Sequence, residues 1–203
     1  MIEFVDEVGC KRLVVHGISA LGDDNNMSLD DVRAMNIRFY GSMIPTLLEH
    51  DVIVCMENLC SRKYRATDRF EGCCSNPDDA IDLIDTLNEM AGREVFGLCF
   101  DSGHLNLLHS DPRRYIAKLG HRIKALHLHD NSGKDDDHTA PFTGTINWKF
   151  LCDALHDVGY SGDLSFETFI QTERALAFSE KLVLPWLILI NTCGRAFADI
   201  IDT

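Results

Sequence analysis

No stretch of this chain approaches the ~20 consecutive apolar residues that span a bilayer. The longest, Leu182 to Ile190, is interrupted by Pro185 and reads as a buried helix. The N-terminus, Met1-Ile2-Glu3-Phe4-Val5-Asp6-Glu7, lacks the basic start and apolar core of a secretory signal, so a cytoplasmic chain without membrane attachment is expected. A basic excess is absent too. Lys and Arg number 19 against 32 Asp and Glu, giving a formal charge of −13 and a pI near 5.0, which disfavours broad attraction to nucleic acid or anionic lipid. The eight cysteines, at positions 10, 55, 60, 73, 74, 99, 152 and 193, include no C-x-x-C pair. Several lie in apolar runs, so reduced thiols, mostly in the core, are expected. Cys73-Cys74 stands apart in a polar loop, where a redox role or no role fits equally. Repeats, low-complexity tracts and linkers are missing as well. The 203 residues, 45% of them hydrophobic, are expected to form one domain, residues 1–203, around one core.

What the chain does contain is five apolar runs that each stop at a potential metal ligand. They are Leu13-Val14-Val15-His16, Val52-Ile53-Val54-Cys55-Met56-Glu57, Val95-Phe96-Gly97-Leu98-Cys99-Phe100-Asp101, Ile123-Lys124-Ala125-Leu126-His127 and Leu164-Ser165-Phe166-Glu167. Short apolar runs alternating with helical patterns read as buried parallel strands, and polar residues at the carboxyl ends of such strands are where an α/β barrel keeps its chemistry. The helix signals between them are clear. Ser28 with Asp31 has the form of a capping box opening a helical pattern to His50, with irregularities expected at Gly41 and Pro45. Asn76-Pro77-Asp78-Asp79 opens a helix to about Gly92, Asp111-Pro112 opens one ended by Gly120, Trp148 to Val158 forms another, and two more follow Glu167. The predicted fold is α/β, of the (β/α)8 TIM-barrel type but with only five to six βα units, since a full barrel needs at least ~200 to 250 residues. Two units are expected to be missing at the front.

The densest chemistry lies between His127 and His138, where His127 and His129 alternate to the same side of a strand and Asp136 and His138 return over its end. Hard oxygen and borderline nitrogen donors in one small volume suit zinc, manganese or cobalt. Earlier, Asp101-Ser102-Gly103-His104 brackets a glycine turn with a carboxylate and an imidazole.

Glu57-Asn58-Leu59, Asp101-Ser102-Gly103-His104, the His127 to Trp148 stretch and Phe166-Glu167 together resemble the xylose-isomerase-like barrels, which include sugar isomerases and epimerases as well as endonuclease IV. The resemblance runs from about Val5 to the C-terminus, without a counterpart for the family's first two strands. It implies that Glu57, Asp101, His127 and Glu167 hold the central divalent ion, and that His16, His104, Asp136 and His138 match the extra ligands of the trinuclear endonucleases. Many relatives follow the H-x-H-D-N-x-G and D-x-H pattern with a Pro-Gly-x-Gly turn and Ile-Asp-Trp. This chain has Pro141-Phe142-Thr143-Gly144 and Ile146-Asn147-Trp148 instead, and it lacks the G-E-x-N-R signature of the ketohexose 3-epimerases.

The implied activity is isomerisation or epimerisation of a sugar or sugar phosphate. A proton leaves the carbon beside a carbonyl while a divalent ion stabilises the developing enediolate. Glu57 and Glu167 would serve as base and acid, with His104 and His129 positioning substrate hydroxyls, although His129 equally suits the orienting of a ligand, and with Trp148 lining the sugar pocket or lying in the core. One alternative is a zinc phosphodiesterase of the endonuclease IV kind, supported by the extra ligands and opposed by the acidic balance. Another is a non-catalytic, truncated barrel. Missing strands would leave open sheet edges and an uncovered apolar face, so a homodimer is expected.

Overall fold

The computed structural model describes residues 1–19, 28–62 and 69–203. Its elements are α1 (Ile2–Glu7), β1 (Arg12–Val15), α2 (Leu29–Gly41), α3 (Ile44–His50), β2 (Ile53–Glu57), β3 (Cys60–Arg62), β4 (Arg69–Glu71), α4 (Pro77–Ala91), β5 (Phe96–Asp101), α5 (Ser102–Leu107), α6 (Pro112–Leu119), β6 (Ile123–His127), α7 (Trp148–Asp157), α8 (Phe169–Phe178) and α9 (Val183–Ile201). They fall into two compact units, Met1–Phe100 with Arg122–Ala125, and Asp101–His121 with Leu126–Thr203.

The first unit is built on a sheet in the order β1-β2-β5-β6. Pairing is parallel from β1 to β2 and from β2 to β5, with Val15 opposite Met56 and Glu57 opposite Cys99. This is the α/β arrangement of part of a TIM barrel. Val54, Cys55, Met56, Phe96, Leu98, Cys99 and Phe100 are all buried, as continuous apolar strands in a parallel sheet must be. The helix between β4 and β5 follows its sequence signals: the Asn76 side chain accepts from the Asp78 amide at 2.9 Å, Pro77 takes the first helical position, and Gly92 closes the helix with φ 71°. Ala80, Leu83, Ile84 and Leu87 recur at helical spacing and are buried, each of the larger ones contributing roughly 1.5–3 kcal/mol.

The Ser28–Asp31 capping box is formed on both sides. The pattern that follows breaks into α2 and α3 just after Gly41, where the sequence placed an irregularity. α2 then fixes the exit of β1. Tyr40 Oη donates to the Val15 carbonyl at 2.9 Å, and Asn36 exchanges two hydrogen bonds of 2.8 Å with the backbone of Ile18. The segment holding His16 is thereby clamped on both sides.

In the second unit, Asp111 and Asn147 cap α6 and α7 by accepting from Arg113 N and Phe150 N. Asn147 thus performs the capping that an aspartate would, as Asn and Asp cap almost equally well. Of the two readings of Trp148, the structure has the core one: it is 2% exposed, stacks on Phe197 at 5.1 Å, and donates its indole N–H to Asp130 at 2.9 Å. Two expectations are corrected. Leu164 to Glu167 is no strand, because among the described residues it pairs only through the two backbone bonds of Leu128, from its N–H to Ser165 O at 2.8 Å and to its O from Glu167 N at 3.0 Å, an isolated parallel bridge.

The apolar stretch Leu182–Ile190 is not buried. α9 reaches the core through Ile190, Cys193, Phe197 and Ile201, so its first half is left with Leu184, Leu187, Ile188 and Leu189 exposed. The uninterrupted helical stretch Glu180–Ile201, 22 residues, is long and apolar enough to cross a membrane by length and composition alone, a criterion that core helices of soluble proteins also meet.

Phe142, the second residue of the Pro141–Gly144 turn, has a left-handed backbone, with φ 70°. Holding a residue with a side chain in that region costs about 1–2 kcal/mol. Phe142→Val should lower the thermal midpoint further, because a β-branched residue is the least tolerant of this region, whereas Phe142→Asn should match or exceed wild type. Thermal denaturation of the three proteins checks the order, and a most stable Val variant would show that the turn does not hold this conformation.

Candidate metal centre

Glu57, Asp101 and His127 stand at the ends of β2, β5 and β6, and His16 directly follows β1. In the first unit, Glu57 closes β2 and is 1% exposed, while His16 follows β1 and places Nε2 3.2 Å from Glu57 Oε2. The loop after Glu57 is held by Leu59, whose N–H donates to Cys73 O and whose carbonyl accepts from Gly72 N, both at 2.9 Å.

The second unit gathers seven side chains: Asp101, His104, His127, His129, Asp136, His138 and Glu167. Asp101 ends β5 and caps α5, its Oδ1 accepting from the His104 amide at 2.6 Å, while Oδ2 lies 3.1 Å from His129 Nε2. Both Asp101 and His129 are fully buried. Asp136 sits among three imidazoles, with Oδ2 3.5 Å from His104 Nε2 and 3.3 Å from His138 Nε2, and Oδ1 4.0 Å from His129 Nε2. Glu167 is reached by His127 Nδ1 at 3.4 Å and by His138 Nδ1 at 3.7 Å. The rings of His129 and His138 stack at 4.0 Å. His138 holds this place with a left-handed backbone, φ 46°, the kind of strain that persists where surrounding contacts fix a functional residue.

The scaffold explains why these side chains stay put. Ser102 accepts from the His129 amide at 3.1 Å and donates to the His129 carbonyl at 2.8 Å. Residue 103 must be glycine, because a Cβ there would overlap the His129 ring. Asn131 donates to Gly103 O at 2.9 Å, and its own side-chain oxygen accepts from Asn106 at 2.7 Å and Gly133 N at 2.9 Å. Asp130 is no ligand. Its carboxylate takes N–H groups from Asn131, Ile146 and Trp148 at 2.9–3.1 Å and ties the loop to α7. Sequence reasoning assigned no task to Ser102, Asp130 or Asn131, although all three stand inside the motifs it used.

The chemistry of this donor set fits a divalent cation. One ligand atom from each of His129, Asp136 and His138 lies within 4.8 Å of the others, and the same holds for Asp101, His129 and Glu167. Two buried atoms, His129 Nδ1 and Asp136 Oδ1, have no hydrogen-bond partner among the described residues, a cost that a bound ion or water removes. Burial opposes a charge on Asp136, but hydrogen bonds with His104 and His138 outweigh it and hold the carboxyl well below the usual carboxylate range. Burial likewise works against protonation of His138, and the Asp136 carboxylate, helped by Glu167, overrides it and raises the imidazole pKa.

A family model described as xylose isomerase-like TIM barrel matches residues 1–184. Among curated proteins, the chain is 33% identical over 170 residues to the uncharacterised protein y4fM of Sinorhizobium fredii, covering 82% of this chain and 50% of that protein. It is 28% identical over 139 residues to a D-psicose 3-epimerase of Enterocloster bolteae, covering 68% of this chain and 40% of the epimerase. The chain thus spans half or less of the length of these relatives. Among solved structures, a D-tagatose 3-epimerase-like protein superposes with a TM-score of 0.69 at 22% identity, over 94% of this chain and 67% of that one, a likeness of fold.

The ion pair at Asp136 predicts a pH window for the metal-free protein. A depressed Asp136 contributes stability above the unfolded carboxylate pKa of about 3.9, lost as pH falls through its lower folded value. A raised His138 contributes stability below the unfolded imidazole pKa of about 6.5, lost as pH rises through its folded value. In chelator, the deficit in thermal midpoint of Asp136→Asn against wild type should be largest between about pH 4 and 6.5 and shrink on either side. A deficit independent of pH would show that the pair is not formed.

Proposed function

The chain belongs to the xylose isomerase-like TIM-barrel family, and from that premise we propose that it is a divalent-metal-dependent isomerase or epimerase of a sugar or sugar phosphate. The observation that carries the proposal is the convergence of Asp101, Asp136 and Glu167 with four imidazoles in the second unit. The relative named as a D-psicose 3-epimerase supports the sugar as the substrate class.

Asp101, His127, His129 and Glu167 are the residues that would hold the ion, with His104, Asp136 and His138 available beside them. When bound, the ion supplies positive charge that stabilises the charge developing on the substrate's oxygens as a proton leaves the adjacent carbon. Glu167 is our candidate for moving that proton. Unlike Asp101, it is partly open, with 30% of its side chain exposed, and its two oxygens lie 3.4 Å from His127 Nδ1 and 3.7 Å from His138 Nδ1. Buried His129, with Nε2 3.1 Å from Asp101, belongs with the groups that would hold the ion rather than with those that would touch a sugar hydroxyl. His104 keeps the role of positioning a substrate hydroxyl, and Glu57, which the resemblance pairs with Glu167, is the proposed second acid–base group.

A zinc phosphodiesterase reading has one observation in its favour, the cluster of His104, His129 and His138 around Asp136, which offers donors for more than one ion. The formal charge of −13 speaks against a nucleic-acid substrate.

Proton transfer leaves a direct trace. Incubated with a panel of ketoses and manganese in heavy water, the protein should place deuterium on the carbon next to the carbonyl, read by NMR. Glu167→Gln should slow that exchange by about 100-fold or more. Absence of exchange, together with cleavage of a generic phosphodiester, would move the assignment to hydrolysis.

A further inference from the structure

Cys73 and Cys74 belong to the first unit and have no part in the proposed reaction. Both lie in the turn between β4 and α4 and are buried there, at 8% and 5% exposure. Their Sγ atoms lie 3.6 Å apart, and Cys74 takes a left-handed backbone, φ 58°, that turns its side chain back beside its neighbour's. Gly17 makes room for the pair, since a Cβ at that position would overlap Cys73 Sγ. Ser19 Oγ accepts from the Cys73 amide at 2.9 Å, and the Cys73 carbonyl accepts from Leu59 N, so the dithiol rests on fixed backbone.

The separation of the sulfurs favours one chemistry over another. Two bonds of about 2.3 Å to a single ion, meeting near the tetrahedral angle, put their sulfurs roughly 3.8 Å apart. A disulfide needs them at about 2.05 Å, and it joins Cα atoms usually ~4.4–6.8 Å apart, whereas adjacent residues are fixed at about 3.8 Å. Chelation requires almost no movement, and oxidation requires distortion. The two thiols also line a cleft of about 300 Å³ together with Asn36, Glu71, Asp79 and Asp82. Asp30 and Arg33 line it as well, with Arg33 paired to Asp82 at 2.6 Å, so the carboxylates outnumber the one cation and leave the cleft net negative.

We infer that Cys73 and Cys74 form a two-sulfur chelating site for a thiophilic metal ion of the zinc or cadmium class, separate in composition from the oxygen- and nitrogen-rich centre. Binding breaks two S–H bonds, releases two protons and forms two metal–sulfur bonds, with no change of oxidation state.

Cadmium chloride added to the full chain is the probe, because a sulfur-to-cadmium charge-transfer band reports thiolate ligands and ignores carboxylate and imidazole. The band should saturate at one cadmium per chain, disappear in Cys73→Ser and in Cys74→Ser, and persist in Cys60→Ser. It should also persist in Asp136→Asn, so that failure of the enzymatic reading and failure of this one are separable. On unaltered protein, phenylarsine oxide should give a single adduct in which one arsenic bridges the two sulfurs and its oxygen leaves as water, mapped by mass spectrometry to the peptide holding both cysteines. No band, a band that survives both serine variants, or an adduct mapped elsewhere would overturn the assignment.

Discussion

Three carboxylates and four imidazoles packed into one unit create an electrostatic demand that the rest of this structure answers. Asp101 is fully buried and Asp136 is partly so, where like charges at a few ångströms repel by several kcal/mol at the dielectric typical of a protein surface. Each carboxylate is therefore met by a ring nitrogen: Asp101 by His129, Asp136 by His104 and His138, Glu167 by His127. Imidazoles alone satisfy the demand only by taking up protons, the direction in which Asp136 and Glu167 shift His138 against its burial. A divalent cation satisfies it for the whole group at once and returns those protons to solvent.

The scaffold around the centre follows from the same demand. Ligands whose energies depend on a few tenths of an ångström must be locked by neighbours. Ser102, Asn131 and Asp130 bond to surrounding backbone and, for the last two, to the side chains of Asn106 and Trp148, and Gly103 clears the His129 ring. Strain is tolerated at His138 and Phe142 because these contacts over-determine the loop on either side.

Much of this was legible in the sequence, and the parts that were not share a cause. Four strands ended where apolar runs met Val15, Glu57, Asp101 and His127, because an apolar run stops where the chain leaves the sheet, and the caps at Ser28, Asn76 and Asp111 were legible because capping is local chemistry. Leu164–Glu167 was not, since four residues cannot distinguish a strand from a single bridging rung. Alternation put His127 and His129 on one side but carried no information on depth, and the structure buries His129 completely while leaving His127 partly open. The apolar residues of α9 show the same limit: periodicity identifies a helix, and only tertiary packing says which of its faces is covered.

The proposed divalent-metal centre of Asp101, His127, His129 and Glu167 is open to direct measurement. Manganese is the ion to measure, because it prefers oxygen and nitrogen donors and leaves the thiols aside. Elemental mass spectrometry of chelator-treated, manganese-reloaded and desalted protein should find about one ion per chain in wild type and none in a folded Asp101→Asn, Glu167→Gln double variant. Wild-type protein that retains no manganese, or a double variant that retains as much as wild type, would contradict the account.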